Sequence, residues 1–177
     1  MISTQKVISA FRQIEASRDF SCILAPFPWK IAEEIRTWSQ NNILEQDLTD
    51  DGLESHVHVT VKYGLHNHDP YEIRPIIRDF GPIKLTLGKI SLFENDEHDV
   101  VKISIQSNGL IKLNKLIASK FENTETHPQY IPHCTLAYVK SGMGKKYAGR
   151  TDFSGKEVII KEIIFSGNDY RETIFSL

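Results

Sequence analysis

Two short segments with the pattern His-x-Thr, each inside an alternating run of apolar and polar residues, constrain this chain more than any other feature. They are His58-Val59-Thr60 and His133-Cys134-Thr135. Successive side chains of a β-strand point to opposite faces, so each histidine shares a face with the threonine two positions later. The apolar residue between them takes the core face. We therefore predict two strands of similar layout whose polar faces line a single cleft.

An imidazole and a hydroxyl on each side of a cleft suit the chemistry of a phosphodiester. Attack on phosphorus requires one group that takes a proton from the nucleophile and another that gives a proton to the leaving oxygen. His58 and His133 in opposite protonation states supply both near neutral pH. Thr60 and Thr135 can donate to the non-bridging oxygens and hold the phosphorus in line. This scheme requires no metal and no other cofactor, and the sequence shows no carboxylate cluster suited to a magnesium pair.

The same residues also have a purely structural interpretation, because half-buried histidines and threonines are common in strands. With seven histidines in the chain, roughly one His-x-Ser or His-x-Thr is expected by chance, so a single copy is weak support. The second copy, in a strand of matching pattern, favours the catalytic interpretation. The sequence leaves open which histidine is the base and which is the acid.

Two further residues are candidates for substrate binding. Lys62 lies two positions after Thr60, and strict alternation places it on the polar face, where it binds phosphate or remains a solvated strand-end lysine. Tyr130 precedes the second motif and is a candidate for stacking on a nucleobase, as aromatic side chains do in nucleotide sites. Alternation directs Tyr63 and Tyr138 to the core face, where packing is favoured.

Composition limits the kind of partner. The 177 residues are 40% hydrophobic and 25% charged, with a net charge of -2, and no basic stripe could follow a duplex. The two cysteines, Cys22 and Cys134, form no metal-binding or disulfide pattern. No apolar run could span a membrane, and the start lacks a signal-peptide pattern. We expect a cytoplasmic protein that binds a nucleotide or short oligonucleotide, and neither an extended duplex nor a membrane; the oligomeric state is open.

Periodicity and turn residues predict the organisation of the chain. Apolar residues at helical spacing over Thr4–Ala16 predict an N-terminal helical appendage, residues 1–17, ahead of a single domain over residues 18–177. The acidic stretch from Leu44 to Glu54 is predicted to be an exposed loop before the first motif strand.

Three further elements follow from capping residues and apolar runs. We predict a helix that Asp69 caps and that extends to Phe80, and a second helix capped by Asn108. The apolar run from Val158 to Phe165 is predicted to form one strand.

The motifs and their flanks resemble a known family. His58-Val59-Thr60-Val61 and Pro132-His133-Cys134-Thr135-Leu136 are similar to the paired signature of the two-histidine phosphoesterase superfamily, which includes LigT-like RNA 2',3'-cyclic phosphodiesterases and 2'-5' RNA ligases. The flanks are most similar to the branch met in bacteriophages and bacteria. The resemblance covers residues 19–177 and implies a bilobal α+β fold: two pseudo-symmetric lobes with antiparallel sheets lining a central groove, and helices outside.

The resemblance also implies roles for the motif residues. His58 and His133 would be the acid–base pair, Thr60 and Thr135 the ligands of phosphate oxygens, and no metal would be needed. The expected activity is that of a phosphoric diester hydrolase acting on a 2',3'-cyclic phosphate, a 2'-5' linkage or a cyclic (oligo)nucleotide. The alternatives are phage-type degradation of cyclic oligonucleotide immune signals, RNA 2'-5' end ligation by the reverse reaction, and a nucleotide-binding module without turnover.

Overall fold

The computed structural model describes residues 19–125 and 129–177, and within them the chain forms nine strands in two antiparallel sheets. The strands are β1 (Ser21–Pro26), β2 (Leu48–Leu53), β3 (His58–Leu65), β4 (Ile83–Phe93), β5 (His98–Gln106), β6 (His133–Lys140), β7 (Glu157–Ile160), β8 (Glu162–Ser166) and β9 (Glu172–Ser176). One sheet has the order β3-β1-β8-β9 and the other the order β2-β6-β5-β4-β7. The predicted α+β class with antiparallel sheets is confirmed.

The two motif strands lie where the sheets approach each other. β3 is the edge strand of the four-stranded sheet, and β6 is the neighbour of the edge strand β2 in the five-stranded sheet. Residues 54–57 connect β2 directly to β3, which contacts β6. This short crossing brings the first motif strand beside the second.

Three helices in the described part of the chain cover the sheets: α1 (Trp29–Asn42), α2 (Arg74–Arg78) and α3 (Asn108–Lys120). α1 packs against β6, and α3 packs against β3 and β4. α3 buries Leu110, Leu113 and Ile117 at helical spacing, so its apolar stripe closes the core over the first motif strand. None of these helices is long and apolar enough to cross a membrane.

The acidic stretch that we predicted to be an exposed loop is part of the five-stranded sheet, so that prediction was wrong. Leu48–Leu53 forms β2 and pairs with β6, and Asp47 just before it is buried. The Asp47 carboxylate accepts a hydrogen bond from Tyr147, 100 positions away, and pairs with Lys146 at 2.6 Å. Lys146 first, and then Tyr147, hold the pKa of Asp47 below its ordinary value. Partners this distant leave no local signal in the sequence.

The apolar run from Val158 to Phe165 forms two strands, where one was predicted. Lys161 separates β7, which pairs with β4 in the five-stranded sheet, from β8, which pairs with β1 in the four-stranded sheet. The chain therefore changes sheets within a continuous run of strand-forming residues. No glycine or proline marks the crossing, so the pattern alone could not show it.

The predicted helix ends need smaller corrections. Asp69 accepts a hydrogen bond from the Tyr71 N–H as a cap should, but a 3-10 turn and the short α2 replace the continuous helix because Pro75 lacks an N–H. Ser107, one residue before Asn108, caps α3 through the Leu110 N–H. The predicted N-terminal helix lies outside the described residues, so the division into an appendage (1–17) and one domain (18–177) stays a prediction.

Candidate active site

Three contacts hold the two motif strands against each other. The Tyr130 hydroxyl donates to the Thr60 carbonyl at 3.0 Å, which ties the residues before β6 to the backbone of β3. The buried Cys134 thiol interacts with the His58 backbone; burial, the larger influence, raises the pKa of this thiol and the His58 contact opposes the shift. Glu54, at the end of β2, donates its N–H to the Leu136 carbonyl at 2.9 Å. The first motif, at the start of β3, therefore lies beside the second motif, at the start of β6.

Both motif histidines are anchored in the same way. Nδ1 of His58 bonds to the His56 carbonyl, and Nδ1 of His133 bonds to the Ile131 carbonyl at 2.8 Å. A carbonyl only accepts, so each Nδ1 carries a proton and donates it. Nε2 of each ring is then the nitrogen left without this backbone anchor, and it can accept or give a proton. Two rings with the same tautomer, each fixed by the carbonyl two residues earlier, form a matched pair.

Each motif strand contains a β-bulge immediately after its threonine. In β3, Thr60 pairs with Leu24 and Lys62 pairs with Ile23, so one residue of β3 is extra. In β6, Thr135 pairs with Lys102 and Ala137 pairs with Val101, with the same shift. A bulge places two successive side chains on one face and reverses the alternation beyond it. The repeated bulge is the clearest sign of pseudo-symmetry between the two halves.

The bulge corrects the predicted position of Lys62. Its side chain is only 3% exposed and points to the core face with Val59, away from the face of Thr60. Its Nζ lies 2.5 Å from Oε1 of Glu125, which satisfies the buried charge. The prediction that Lys62 shares the polar face was wrong because strict alternation stops at the bulge. Lys62 therefore supports the fold of β3, on the opposite face from Thr60.

The same shift moves the two tyrosines that were assigned to the core face. Tyr63 is 39% exposed and contacts the Phe20 ring edge to face. Tyr138 is partly buried; burial raises the pKa of its phenol, and an interaction with the Thr135 hydroxyl opposes that rise. Tyr138 thus shares a face with Thr135, contrary to the prediction from alternation.

β5, the strand beside His133, contributes polar residues that the sequence analysis did not identify. Lys102 lies opposite Thr135, and Ser104 lies opposite His133, on the strand paired with β6. The Phe93 ring meets His133 edge to face at 4.9 Å. In the sequence, Lys102 alternates with buried valine and isoleucine and resembles an ordinary solvent-facing strand lysine. Only the pairing of β5 with β6 places it next to the second motif.

Tyr130 was predicted to be a candidate for stacking on a base. The structure places Tyr130 half-buried with its hydroxyl bonded to β3, and Phe93 against the ring of His133. Among the residues that are described, no three His, Cys, Asp or Glu side chains are grouped so that they could hold a metal ion.

A second histidine and two carboxylates influence the first motif histidine. The His56 ring lies 5.5 Å from the His58 ring, and its Nδ1 lies 3.8 Å from the Glu172 carboxylate. Burial lowers the pKa of His58 and is the largest influence; the His56 carbonyl and the charges of Glu54 and Glu172 act in the opposite direction. His58 therefore stays neutral over a wider pH range than a free histidine does.

This lowered pKa predicts a pH-dependent stability. The unfolded chain has an ordinary histidine pKa of about 6.5 and binds a proton before folded His58 does, so the free energy of unfolding should fall as the pH is lowered from 7 to 5. His58→Asn, which keeps a donor for the His56 carbonyl, should lose less stability over this interval. Urea unfolding at the two pH values measures the difference. Equal pH dependence in both proteins would show that His58 is not the group responsible.

The fold and the two facing His-x-Thr strands define a two-histidine phosphoesterase. The chain belongs to the 2'-5' RNA ligase superfamily, whose family model matches residues 27–143. This membership assigns general phosphodiesterase or RNA-ligase-type chemistry to it.

Solved structures support the fold. E. coli LigT in its apo form superposes with a TM-score of 0.59 at 17% identity, covering 92% of this chain and 96% of LigT. E. coli LigT complexed with 3'-AMP gives a TM-score of 0.58 at 16% identity over the same shares of both chains. TT0787 of Thermus thermophilus gives 0.55 at 15% identity, covering 89% of this chain and 94% of that one. No curated protein sequence matches the chain.

Proposed function

We propose that this protein is a metal-independent phosphodiesterase that acts on a 2',3'-cyclic phosphate, a 2'-5' linkage or a cyclic (oligo)nucleotide. The observation that carries the proposal is the matched anchoring of His58 and His133, whose Nδ1 atoms donate to backbone carbonyls just before each motif strand. This arrangement leaves one Nε2 on each side for proton transfer. General acid–base catalysis by two imidazoles requires one such nitrogen on each ring, which supports the proposal.

The proposed hydrolysis uses the two rings in opposite protonation states. The neutral histidine takes a proton from water at Nε2 while the water oxygen forms a bond to phosphorus. The protonated histidine gives its Nε2 proton to the leaving ribose oxygen as the phosphorus–oxygen bond breaks. Thr60 and Thr135 donate to the non-bridging oxygens and keep attack in line. For ligation, the 5'-hydroxyl of a second RNA end takes the place of water and attacks a 2',3'-cyclic phosphate: the neutral histidine takes the 5'-hydroxyl proton, the new 2'-5' bond forms, and the 3'-oxygen leaves with the proton of the other histidine. This is the reverse of cleavage of a 2'-5' bond by the neighbouring 3'-hydroxyl.

The proposed substrate is a nucleotide or a short oligonucleotide. A net charge of -2 disfavours a long polyanion. The structures of E. coli LigT complexed with 3'-AMP and with ATP support a nucleotide-sized ligand for this fold. Tyr130 and Phe93, beside the two motifs, are the aromatic residues that we propose for contact with the base or sugar.

A turnover assay in the presence of EDTA tests the function. The substrates are 2',3'-cyclic mononucleotides, 2'-5' oligoadenylates and cyclic di- and trinucleotides, with products separated by chromatography. We expect metal-free cleavage of at least one class, and the preferred class identifies the bond. An RNA pair with a 2',3'-cyclic phosphate and a 5'-hydroxyl tests ligation. Tight binding without turnover of any substrate would contradict the proposal and favour a nucleotide-binding module.

A further inference from the structure

The two halves of the site differ at one equivalent position. The residue opposite the motif threonine is Leu24 in the first half and Lys102 in the second, each in register immediately beside a bulge. Leu24 packs with Cys22 and Ile164 in an apolar cluster. The first half of the site therefore has an apolar surface around Leu24 next to its threonine, which we call the apolar wall, and the second half has a cation there.

Lys102 is a buried cation, only 4% exposed. Its Nζ donates to the Ser91 hydroxyl at 2.9 Å, and Ser91 shares a hydrogen bond of 2.7 Å with Ser104. Its Nζ also lies 4.1 Å from the centroid of the Phe93 ring, the ring that meets His133 edge to face. Lys102 is thus connected to the second motif through both Ser104 and Phe93.

No carboxylate in residues 19–125 and 129–177 pairs with this lysine. Burial is the only influence on its pKa, which lies below the ordinary value for lysine. Lys62 provides the contrast, since it is equally buried but has Glu125 at 2.5 Å. A buried charge without a counterion reduces stability, so its presence beside a catalytic motif indicates an anion supplied from outside the chain.

We propose that Lys102 binds a non-bridging oxygen of the substrate phosphate together with Thr135. The phosphate charge is then held on the side of the five-stranded sheet, and the apolar wall around Leu24 faces the uncharged part of the substrate. The lysine offsets the charge that develops on the equatorial oxygens during attack on phosphorus. This inference rests on the proposed function for the identity of the phosphodiester.

Lys102→Met tests the proposal because it removes the charge and preserves most of the side-chain volume. We expect kcat/KM to fall by about 10²-fold, as for the loss of one preorganised donor in other enzymes. The midpoint of thermal unfolding should stay the same or rise, because an uncompensated buried charge is removed. A lysine with a merely structural role would give a lower midpoint instead. The control is Lys84→Met, an exposed lysine of the same sheet paired with Glu157 at 2.6 Å, which should leave kcat/KM unchanged.

Binding of inorganic phosphate separates this inference from the proposed function. Wild-type protein and Lys102→Met are titrated with phosphate and followed by calorimetry. About tenfold weaker binding by the variant supports the inference even if no phosphodiester is cleaved, since one charge-assisted contact is worth about that much. Equal affinities, or no detectable phosphate binding by the wild type, would overturn it. Normal turnover by Lys102→Met would overturn it as well and leave the proposed function standing.

Discussion

Replacing His133 with alanine should lower kcat about 10³- to 10⁴-fold on every substrate that the wild type cleaves, because one of the two proton-transfer groups is lost. His58→Ala should have an effect of similar size. The double variant should be hardly worse than either single one, since the two rings act in the same step. Single-turnover kinetics on the preferred substrate measure all three variants.

Asparagine variants control for the structural role of the two rings. Asparagine can donate to the carbonyl that anchors each ring, the His56 carbonyl or the Ile131 carbonyl, yet it cannot transfer a proton near neutral pH. His58→Asn and His133→Asn should therefore fold normally and remain inactive. Circular dichroism checks the fold. Substantial activity in either asparagine variant would mean that the corresponding histidine is not part of the acid–base pair.

Gly64→Ala should destabilise the protein by about 4 kcal/mol, the largest stability effect expected from a single methyl group here. Gly64 has a φ of +81°, and a Cβ at this position would lie 2.2 Å from the Thr124 carbonyl oxygen. The Gly64 carbonyl accepts from the Thr124 N–H at 2.8 Å. The methyl group would therefore push the segment after α3 away from the edge of β3. Urea unfolding measures the change.

Gly52→Ala is the matched control for this prediction. Gly52 also has a positive φ, +67°, but a Cβ there would meet nothing within 4 Å. Its replacement should cost about 1 kcal/mol, the backbone term alone. The difference between the two variants isolates the contact with Thr124. Similar losses in both would show that the edge of β3 yields easily and that the contact is unimportant.

The motif strands and the helix α3 could be predicted from local pattern. Alternation around His58 and His133 identified the strands, and helical spacing of Leu110, Leu113 and Ile117 identified α3. These signals involve residues within one turn or a few strand positions of each other. They survive in the folded protein because the apolar face of each element is buried as the pattern requires.

The predictions that the structure contradicted share a different cause. Lys62, Tyr63 and Tyr138 each lie beyond a bulge, which local alternation cannot reveal because pairing with another strand creates it. The acidic stretch became β2 because β6 and Tyr147, far along the chain, provide its partners. The run from Val158 to Phe165 divides between two sheets for the same reason.

The candidate site depends both on local sequence pattern and on contacts between distant segments. The identity and spacing of its two histidines and two threonines, and hence the class of chemistry, are readable from the chain because they are local and repeated. The tautomers are fixed by carbonyls two residues earlier, in the folded backbone just before each strand. The matched bulges and the position of the cation at Lys102 come from pairing of β3 with β1 and of β6 with β5. Local sequence sets which face a side chain prefers, whereas pairing between distant segments sets which residues that face meets.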